Sequence, residues 1–270
     1  MTDNAQGTAT TARTTAAMPQ PAGAAMADIL AAYRADGHVT VPGVFTDRRM
    51  DAAIDDALAW SEAALAALPP EKRAWYAETT ATATVLRKLD NPHMERPFYA
   101  EVARDPALVG LVESLIGRGV TVYFSQIFFK PPHGGGPKPA HQDNFYFGAS
   151  DPDGLVTAWV ALEDADEENG CLRYGHASHK GPILPHTAPQ DRPFDLQLSE
   201  EQVAGLDMRP APVPKGGVSF HHGGTVHRSA DNQSDRWRRA CAFHYVRNDV
   251  VFETPALPYD HSMKLVITSI

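Results

Sequence analysis

The spacing of apolar and polar residues in the first half of the chain predicts helices. The first, a short amphipathic helix, should begin near residue 26 and stop at Gly37, since glycine readily adopts the backbone angles that end a helix. A second, longer helix should open at Thr46 or Asp47, which are good N-cap residues. It must end by Pro69, because proline lacks the backbone N–H that a helix interior requires.

A third predicted helix has the clearest boundaries. Asp105 is a favourable N-cap, and Pro106 suits the first helical turn, where its missing N–H leaves no hydrogen bond unmade. Apolar residues within 108–116 then fall on one helical face before Gly117. A helix with one apolar face must bury it, so we expect these three helices to pack on a sheet.

From about residue 120 the apolar pattern changes to short runs rich in β-branched and aromatic residues. These runs are residues 122–124, 127–129, 155–162, 217–220 and 240–246. Many short strands separated by Gly, Pro and Asp indicate a sandwich or barrel, so the predicted fold is mainly β with flanking helices. Residues 131–140, rich in Gly and Pro, are predicted to be a loop that helps to hold a substrate.

Composition limits the setting and the partners. Residues 1–25 are mostly Ala and Thr with few large apolar groups, so we predict a disordered tail followed by a single domain over 26–270. The net charge of −9, without a block of like charges, argues against a nucleic-acid or anionic membrane surface and favours a small-molecule partner. Only two cysteines, no secretory signal and no long apolar run favour the cytoplasm and argue against a membrane span.

Three residues of the types that bind non-haem iron occur in a suggestive order. The triplet His141-Gln142-Asp143 is followed far downstream by His227. Two imidazoles and one carboxylate can hold a ferrous ion on one face and leave three coordination positions open. If the triplet lies in a strand, His141 and Asp143 point the same way, because side chains alternate along a strand. His-x-Asp alone is a weak motif, and its weight depends on the residues around it.

Four ordered motifs supply that weight. They are Pro139–Phe147, Thr157–Asp164, Glu168–Leu172, and His227-Arg-Ser229 followed by Arg238-Arg-Ala240. In order and separation they resemble the phytanoyl-CoA dioxygenase family, which consists of iron(II)- and 2-oxoglutarate-dependent oxygenases. The resemblance runs from about residue 26 to 250. It implies a double-stranded β-helix, the jelly-roll fold that cupins share.

The resemblance also implies two sets of site residues. The iron ligands would be His141, Asp143 and His227. The residues around 2-oxoglutarate would be Arg238, Ser229, Gln126, Trp159 and Lys88. Arg238 presents a planar fork that suits a carboxylate. A carboxylate at Asp143 fills the position that related halogenases leave open for chloride, which favours hydroxylation.

Substrate contacts are predicted for a further group of residues, although a solvated surface position is the alternative for the arginine. These residues are Phe145, Phe128, His133 and Arg247. Phe145 is expected to share the strand face of the triplet and to face the cavity, with Tyr146 packed behind it. The other histidines fit no closed zinc site, and we expect His221 and His222 to support the metal ligands or to lie in a loop.

One turn departs from the family pattern. Where relatives have Pro-Gly-Ser-His, this chain has His176-Ala-Ser-His179. Losing both proline and glycine changes the backbone angles that the turn can adopt, so we expect this loop to take a different path.

The sequence therefore predicts an oxygenase that uses Fe(II), 2-oxoglutarate and O2 to oxidise a C–H bond of a small molecule, with a specialised metabolite favoured. Hydroxylation is the default, while desaturation, ring formation and epimerisation use the same ligands. Two alternatives stay open. A cupin-type dioxygenase without 2-oxoglutarate would share the ligands but would have no use for Arg238 and Ser229. A metal-dependent sensor would keep the motif without turnover.

Overall fold

A computed structural model of the protein describes residues 23–79, 84–190, 195–256, 260 and 262–269. Of the tail predicted over residues 1–25, residues 1–22 lie outside the described ranges. Helix α1 begins at Gly23, earlier than the start that the apolar pattern predicts.

Helices occupy the first half of the chain, as predicted, and recur in short pieces later. They are α1 (Gly23–Asp36), α2 (Asp47–Ala67), α3 (Arg73–Tyr76), α4 (Pro92–Glu95), α5 (Pro97–Ala103), α6 (Pro106–Ile116), α7 (Asp143–Phe147) and α8 (Glu200–Val203). Single 3-10 turns lie at Pro70–Lys72, Pro152–Gly154 and Ser178–Lys180.

Helices α2 and α6 begin directly after the N-cap residues that the sequence predicts. The Thr46 hydroxyl accepts the backbone N–H of Arg49 at the start of α2. The Asp105 carboxylate accepts the N–H of Ala107 at 2.9 Å at the start of α6. Each cap gives an acceptor to a backbone donor that the helix itself leaves unpaired. These local hydrogen bonds explain why the sequence predicts both starts correctly.

Strands make up most of the second half. They are β1 (His38–Val41), β2 (Ala77–Thr79), β3 (Thr84–Leu86), β4 (Lys88–Asp90), β5 (Val120–Lys130), β6 (Lys138–His141), β7 (Leu155–Ala161), β8 (Leu172–Gly175), β9 (Met208–Ala211), β10 (Val218–His222), β11 (His227–Ser229), β12 (Arg238–Arg247) and β13 (Leu265–Val266).

The strands form two main antiparallel sheets. The larger has the order β1-β10-β7-β12-β5-β13, and β4 also pairs with β5. The smaller has the order β6-β11-β8-β9, while β2 and β3 form a separate hairpin. This is the double-stranded β-helix with flanking helices that the sequence predicts.

Strand β7 shows how the larger sheet divides the molecule. Val156, Ala158 and Val160 belong to the main apolar core, which also contains residues of α2 and α6. Between them, Thr157 and Trp159 line a cavity on the opposite face of the sheet. Successive side chains of a strand point to opposite faces, so one strand can supply both the core and a functional site.

Two of the predicted segments have different boundaries in the structure. The runs at 122–124 and 127–129 are parts of one strand, β5, which continues to Lys130. Strand β6 starts at Lys138, so the predicted loop over 131–140 is shorter at its end.

The predicted placement of the metal triplet on one strand is wrong. Strand β6 ends at His141, Gln142 is the N-cap of the next helix, and Asp143 is the first residue of α7. The two candidate ligands still converge, because the chain turns from strand to helix between them.

Among the helices that the structure describes, none is both long enough and apolar enough to cross a membrane.

Candidate functional site

A cavity of about 460 Å³ lies between the two sheets. Every residue predicted to hold the metal or 2-oxoglutarate lines it: His141, Asp143, His227, Arg238, Ser229, Gln126, Trp159 and Lys88. Phe128, a predicted substrate contact, lines it as well. Residues separated by up to 150 positions in the sequence, Lys88 and Arg238, are thus brought to one cavity.

The two histidines of the predicted triad present the same nitrogen to the cavity. His141 Nδ1 donates to the Pro139 carbonyl at 2.8 Å, and His227 Nδ1 donates to the Thr225 carbonyl at 3.0 Å. A proton fixed on Nδ1 leaves the Nε2 lone pair free for a metal. Burial lowers the pKa of both imidazoles, which keeps them neutral, as a metal ligand must be.

The Asp143 carboxylate divides its two oxygens between the cavity and the protein. Oδ1 lies 3.7 Å from His141 Nε2 and 3.6 Å from His227 Nε2. Oδ2 accepts from the Thr157 hydroxyl at 2.5 Å and from His221 Nε2 at 2.9 Å. One oxygen is therefore held by hydrogen bonds, while the other faces the two imidazole nitrogens.

The charge of Asp143 is stabilised inside the protein. Burial alone would raise its pKa, but His227 and the hydrogen bonds from His221 and His244 hold the pKa well below its ordinary value. The carboxylate is thus ionised, while burial keeps the imidazoles of His141 and His227 neutral. That combination of protonation states is the one a divalent metal requires.

The hydrogen bonds around Asp143 continue outward. The Thr157 hydroxyl accepts a hydrogen bond from His244 Nδ1 at 2.8 Å while it donates one to Asp143. The Tyr174 hydroxyl lies 3.1 Å from His221 Nδ1 and 2.9 Å from the Ser219 hydroxyl. All five of these side chains are buried. A fully bonded buried network of this kind fixes the orientation of the group at its centre.

His141, Asp143 and His227 form a group that fits a metal ion. Their ligand atoms lie within 4.8 Å of one another, and it is the only such group of three among the described residues. The two free Nε2 atoms and the free Oδ1 atom match the donor set of a non-haem ferrous site.

The far end of the cavity contains a buried cation. Arg238 is 3% exposed, and its guanidinium lies over the Trp159 ring at 5.4 Å. Its Nε has no hydrogen-bond partner in the part of the chain that the structure describes. Burial lowers the pKa of Arg238 to about 10, so it remains charged at neutral pH. Ser229, in β11, lines the same cavity.

Lys88 and Gln126 share a carboxylate at the cavity wall. Gln126 Nε2 donates to Asp90 Oδ1 at 2.7 Å, and Lys88 Nζ lies 3.5 Å from the same oxygen. The Tyr76 hydroxyl donates to Asp90 Oδ2 at 2.7 Å. Asp90 therefore joins the two predicted co-substrate residues into one polar cluster.

The predicted arrangement of Phe145 and Tyr146 is wrong. Phe145 stacks on His186 with ring centres 4.1 Å apart and does not line the cavity. Tyr146 lines it instead, with its ring edge-on to His141 at 5.6 Å. The prediction assumed the alternation of a strand, but both residues lie in helix α7, where neighbouring side chains are turned by about 100°.

Two predicted substrate contacts lie away from the cavity. His133 has a side chain that is 62% exposed and pairs with Asp235 at 2.6 Å. Arg247 bonds Asp249 at 2.6 Å and Asp151 at 2.7 Å, and neither it nor His133 lines the cavity. The alternative that we gave for Arg247, a solvated position, describes it better.

Several functional residues escaped the sequence analysis. Thr157, His244 and Lys130 line the cavity, and none of them was assigned a role. Thr157 is the first residue of one of the four motifs, and that position could have identified it as a candidate site residue. His221, for which support of a ligand was one expectation, lies in β10 and bonds Asp143 directly.

The turn that departs from the family pattern keeps a left-handed residue. Ala177, where the family resemblance leads us to expect glycine, has a φ of +56°. Its N–H donates to the Asp36 carbonyl at 3.0 Å, and a 3-10 turn follows at Ser178–Lys180. The turn thus packs against the end of α1 without the glycine that this conformation favours.

Comparisons with known proteins agree with this site. The model of the family described as Phytanoyl-CoA dioxygenase (PhyH) matches residues 33–240. A relative from Danio rerio, phytanoyl-CoA dioxygenase domain-containing protein 1, is 32% identical over 167 residues, which is 60% of this chain and 57% of the relative. A probable alpha-ketoglutarate-dependent hypophosphite dioxygenase from Stutzerimonas stutzeri is 28% identical, covering 62% of this chain and 59% of that one. The chain thus spans somewhat more than half the length of these relatives.

Solved structures share the fold. The epimerase SnoN, in complex with Fe3+, alpha ketoglutarate and nogalamycin RO, has a TM-score of 0.66 at 24% identity, covering 87% of this chain and 88% of that chain. EctD from S. alaskensis, with 2-oxoglutarate and 5-hydroxyectoine, has a TM-score of 0.68 at 20% identity, covering 85% and 78%.

Proposed function

The chain belongs to the phytanoyl-CoA dioxygenase family, and on that premise we propose that it is an iron(II)- and 2-oxoglutarate-dependent oxygenase. It oxidises a C–H bond of a small molecule, with hydroxylation as the default outcome. The observation that carries the proposal is the convergence of His141 Nε2, His227 Nε2 and Asp143 Oδ1, each left free by hydrogen bonds that occupy the other atom of its side chain.

Iron(II) held by these three residues would supply the activation of dioxygen that oxidation of an unreactive C–H bond requires. The protein contributes the ligand geometry. Because Thr157 and His221 hold Oδ2, Asp143 would offer a single oxygen to the iron, which would leave room for the 2-oxo acid and dioxygen to bind.

Arg238 and Ser229 bind the distal carboxylate of 2-oxoglutarate in this proposal. The guanidinium is buried, charged and has a free Nε–H in the described structure, so a carboxylate would satisfy it. Trp159 fixes the guanidinium plane from below, and Lys88 and Gln126 line the route between this end and the metal. These residues favour the 2-oxoglutarate mechanism over a cupin-type dioxygenase, which has no use for a buried arginine here.

The substrate is a small molecule by this proposal, and a specialised metabolite is favoured. A cavity of about 460 Å³ must hold both 2-oxoglutarate and the reacting part of the substrate, which falls within the usual size of small-molecule sites. Aromatic side chains, including those of Phe124, Phe147 and Tyr146, line part of the cavity. Structural neighbours named for nogalamycin biosynthesis and for 5-hydroxyectoine support a metabolite as the substrate class.

The cytoplasm remains our proposed location. Cys171 and Cys241 are both buried and free, as expected of a protein in a reducing compartment.

Formation of succinate tests the proposal. Purified protein with Fe(II), air and 2-oxoglutarate should release succinate, and more of it when a screened metabolite is the substrate. The same assay without 2-oxoglutarate should give no oxidised product. Oxidised product without 2-oxoglutarate would favour the cupin-type reaction. Tight metal binding with no succinate under any condition would favour a sensor.

A further inference from the structure

Lys130 is a buried cation that the proposed function does not use. It is the last residue of β5, is 6% exposed and lines the same cavity as Arg238. Within the described residues it forms no ion pair, and its Nζ donates only to the Ala230 carbonyl. A buried charge without a carboxylate is costly, so its retention calls for a ligand.

The position of Lys130 next to Arg238 favours a ligand that both cations can contact. Lys130 and Arg238 are direct partners across β5 and β12, so their side chains are neighbours on one face. Ala230, which Lys130 contacts, follows Ser229. Lys130, Arg238 and Ser229 therefore converge on one end of the cavity. Burial and the charge of Arg238 lower the pKa of Lys130 well below its ordinary value, although the charges of Asp231 and Glu78 act in the opposite direction.

The stem of Lys130 is held in place by the glycine loop. A Cβ on Gly135 would lie 2.6 to 2.8 Å from the Cα, Cβ and Cγ of Lys130, so only glycine fits there. The loop is fixed in turn by Glu78, which accepts the N–H groups of Gly135 and Gly136 at 3.1 and 3.0 Å. Glu78 forms no ion pair with Lys130 among the described residues, and its charge reaches Lys130 only from the loop to which it is bonded.

We propose that Lys130 is a second cation for the distal carboxylate of the co-substrate and makes the site specific for a 2-oxo dicarboxylic acid over a 2-oxo monocarboxylic acid. This inference rests on the proposed function, in which Arg238 is the first cation. Lys130 acts here as a specificity residue: it neither binds the metal nor contacts the reacting carbon.

The test compares two acids that differ only at the distal end. 2-Oxoglutarate and 2-oxopentanoate have chains of equal length, and the second carries a methyl group in place of the distal carboxylate. Their affinities for the Mn(II)-loaded protein are measured by calorimetry without turnover. Wild type should strongly prefer 2-oxoglutarate. Lys130→Met should reduce that preference about tenfold or more and leave the affinity for 2-oxopentanoate nearly unchanged.

Stability in the absence of co-substrate separates this role from a structural one. Removing an unpaired buried charge should leave the melting temperature of Lys130→Met equal to or above that of wild type. Lys215→Met, which removes a surface lysine paired with Asp51, is the control for the substitution itself and should not alter the preference. Lys130→Gln repeats the measurement if the methionine variant does not fold.

The possible failures are distinct. An unchanged preference in Lys130→Met, or an equal loss of affinity for both acids with a lower melting temperature, would overturn the role of Lys130 alone. If wild type binds the two acids equally, the site does not recognise the distal carboxylate, and the proposed function fails together with this inference.

Discussion

The two ends of the cavity treat their charged groups in opposite ways. At the metal end, Asp143 is surrounded by donors, and Thr157 and His221 bond the oxygen that does not face the cavity. At the other end, Arg238 and Lys130 are buried next to each other without an ion pair in the described structure. At one end hydrogen bonds within the protein orient the charged group, and at the other two cations lie together without an ion pair among the described residues.

This difference indicates what each end is built to do. A metal ligand must hold one orientation before the ion arrives, so the network around Asp143 fixes it in advance. A site for a carboxylate gains affinity when its buried donors have no partner in the protein. The bound carboxylate then removes the free-energy cost of leaving those donors without hydrogen bonds. The metal end should therefore be sensitive to any lost partner. At the co-substrate end, loss of a cation should leave the stability of the protein unchanged and weaken only the binding of 2-oxoglutarate.

The largest expected effect comes from Asp143→Ala. It removes a metal ligand and the acceptor for Thr157 and His221, so metal binding and succinate formation should be lost. Thermal or denaturant unfolding should show a loss of about 1–3 kcal/mol from the unpaired buried donors. Asp153→Ala is the control, because Asp153 also bonds a histidine, His222, at 2.9 Å but is exposed. Full activity with unchanged iron content would show that the ligand set is misassigned.

At the other end, Arg238→Met should leave iron binding and unfolding free energy nearly unchanged. Its affinity for 2-oxoglutarate should fall about tenfold to a few hundredfold, because a hydrogen-bonded charge contributes roughly 1.5–3 kcal/mol. The neighbouring Arg239 pairs with Glu163 at 2.6 Å, so Arg239→Met should instead lower stability and spare co-substrate affinity. The same dependence on 2-oxoglutarate in Arg238→Met and wild type would remove Arg238 from the site and favour the cupin-type reaction.

The sequence predicts the two ends unequally well, and the reason is geometric. Iron ligands and Arg238 lie in motifs with fixed spacing, so they can be read along the chain. The network around Asp143 depends on strand register: Thr157 lies opposite His221 on one side and His244 on the other. Lys130 meets Arg238 in the same way. Pairing between distant strands is not encoded in any local pattern.

The errors near the triplet have a different cause. The prediction continues the alternation of a β-strand past His141, but the chain becomes helical at Asp143. Asn144 bonds Ala149 through both its amide oxygen and nitrogen, and Gly148 ends the helix at φ +65°. The short helix is therefore fixed by polar contacts beyond it, which the apolar pattern does not show. The same local pattern correctly predicts α2 and α6, because their caps lie within the segment itself.

A smaller effect is expected from Thr157→Val, which keeps the side-chain volume and removes the hydroxyl. Asp143 Oδ2 and His244 each lose a partner, so affinity for Mn(II) should fall about tenfold or more, as for other residues that orient metal ligands. Thr121→Val is the matched control, since the Thr121 hydroxyl donates to Asn248 Oδ1 at 2.7 Å, outside this network. Equal metal affinity in both variants would mean that the network does not position Asp143.

The smallest effect distinguishes two glycines that share a left-handed backbone. Gly135 and Gly43 have φ values of +66° and +67°, but a Cβ on Gly43 would meet no atom within 4 Å. Gly43→Ala should therefore lower the unfolding free energy by about 1 kcal/mol through backbone strain alone and leave the cavity intact. Gly135→Ala adds a clash with the stem of Lys130, so it should be less stable than Gly43→Ala and should also bind 2-oxoglutarate severalfold more weakly. Calorimetric titration of both variants, each beside its unfolding curve, checks this. If Gly135→Ala loses stability but keeps the affinity of wild type, the glycine loop does not hold Lys130 for the co-substrate, and the contrast between the two ends would rest on Arg238 alone.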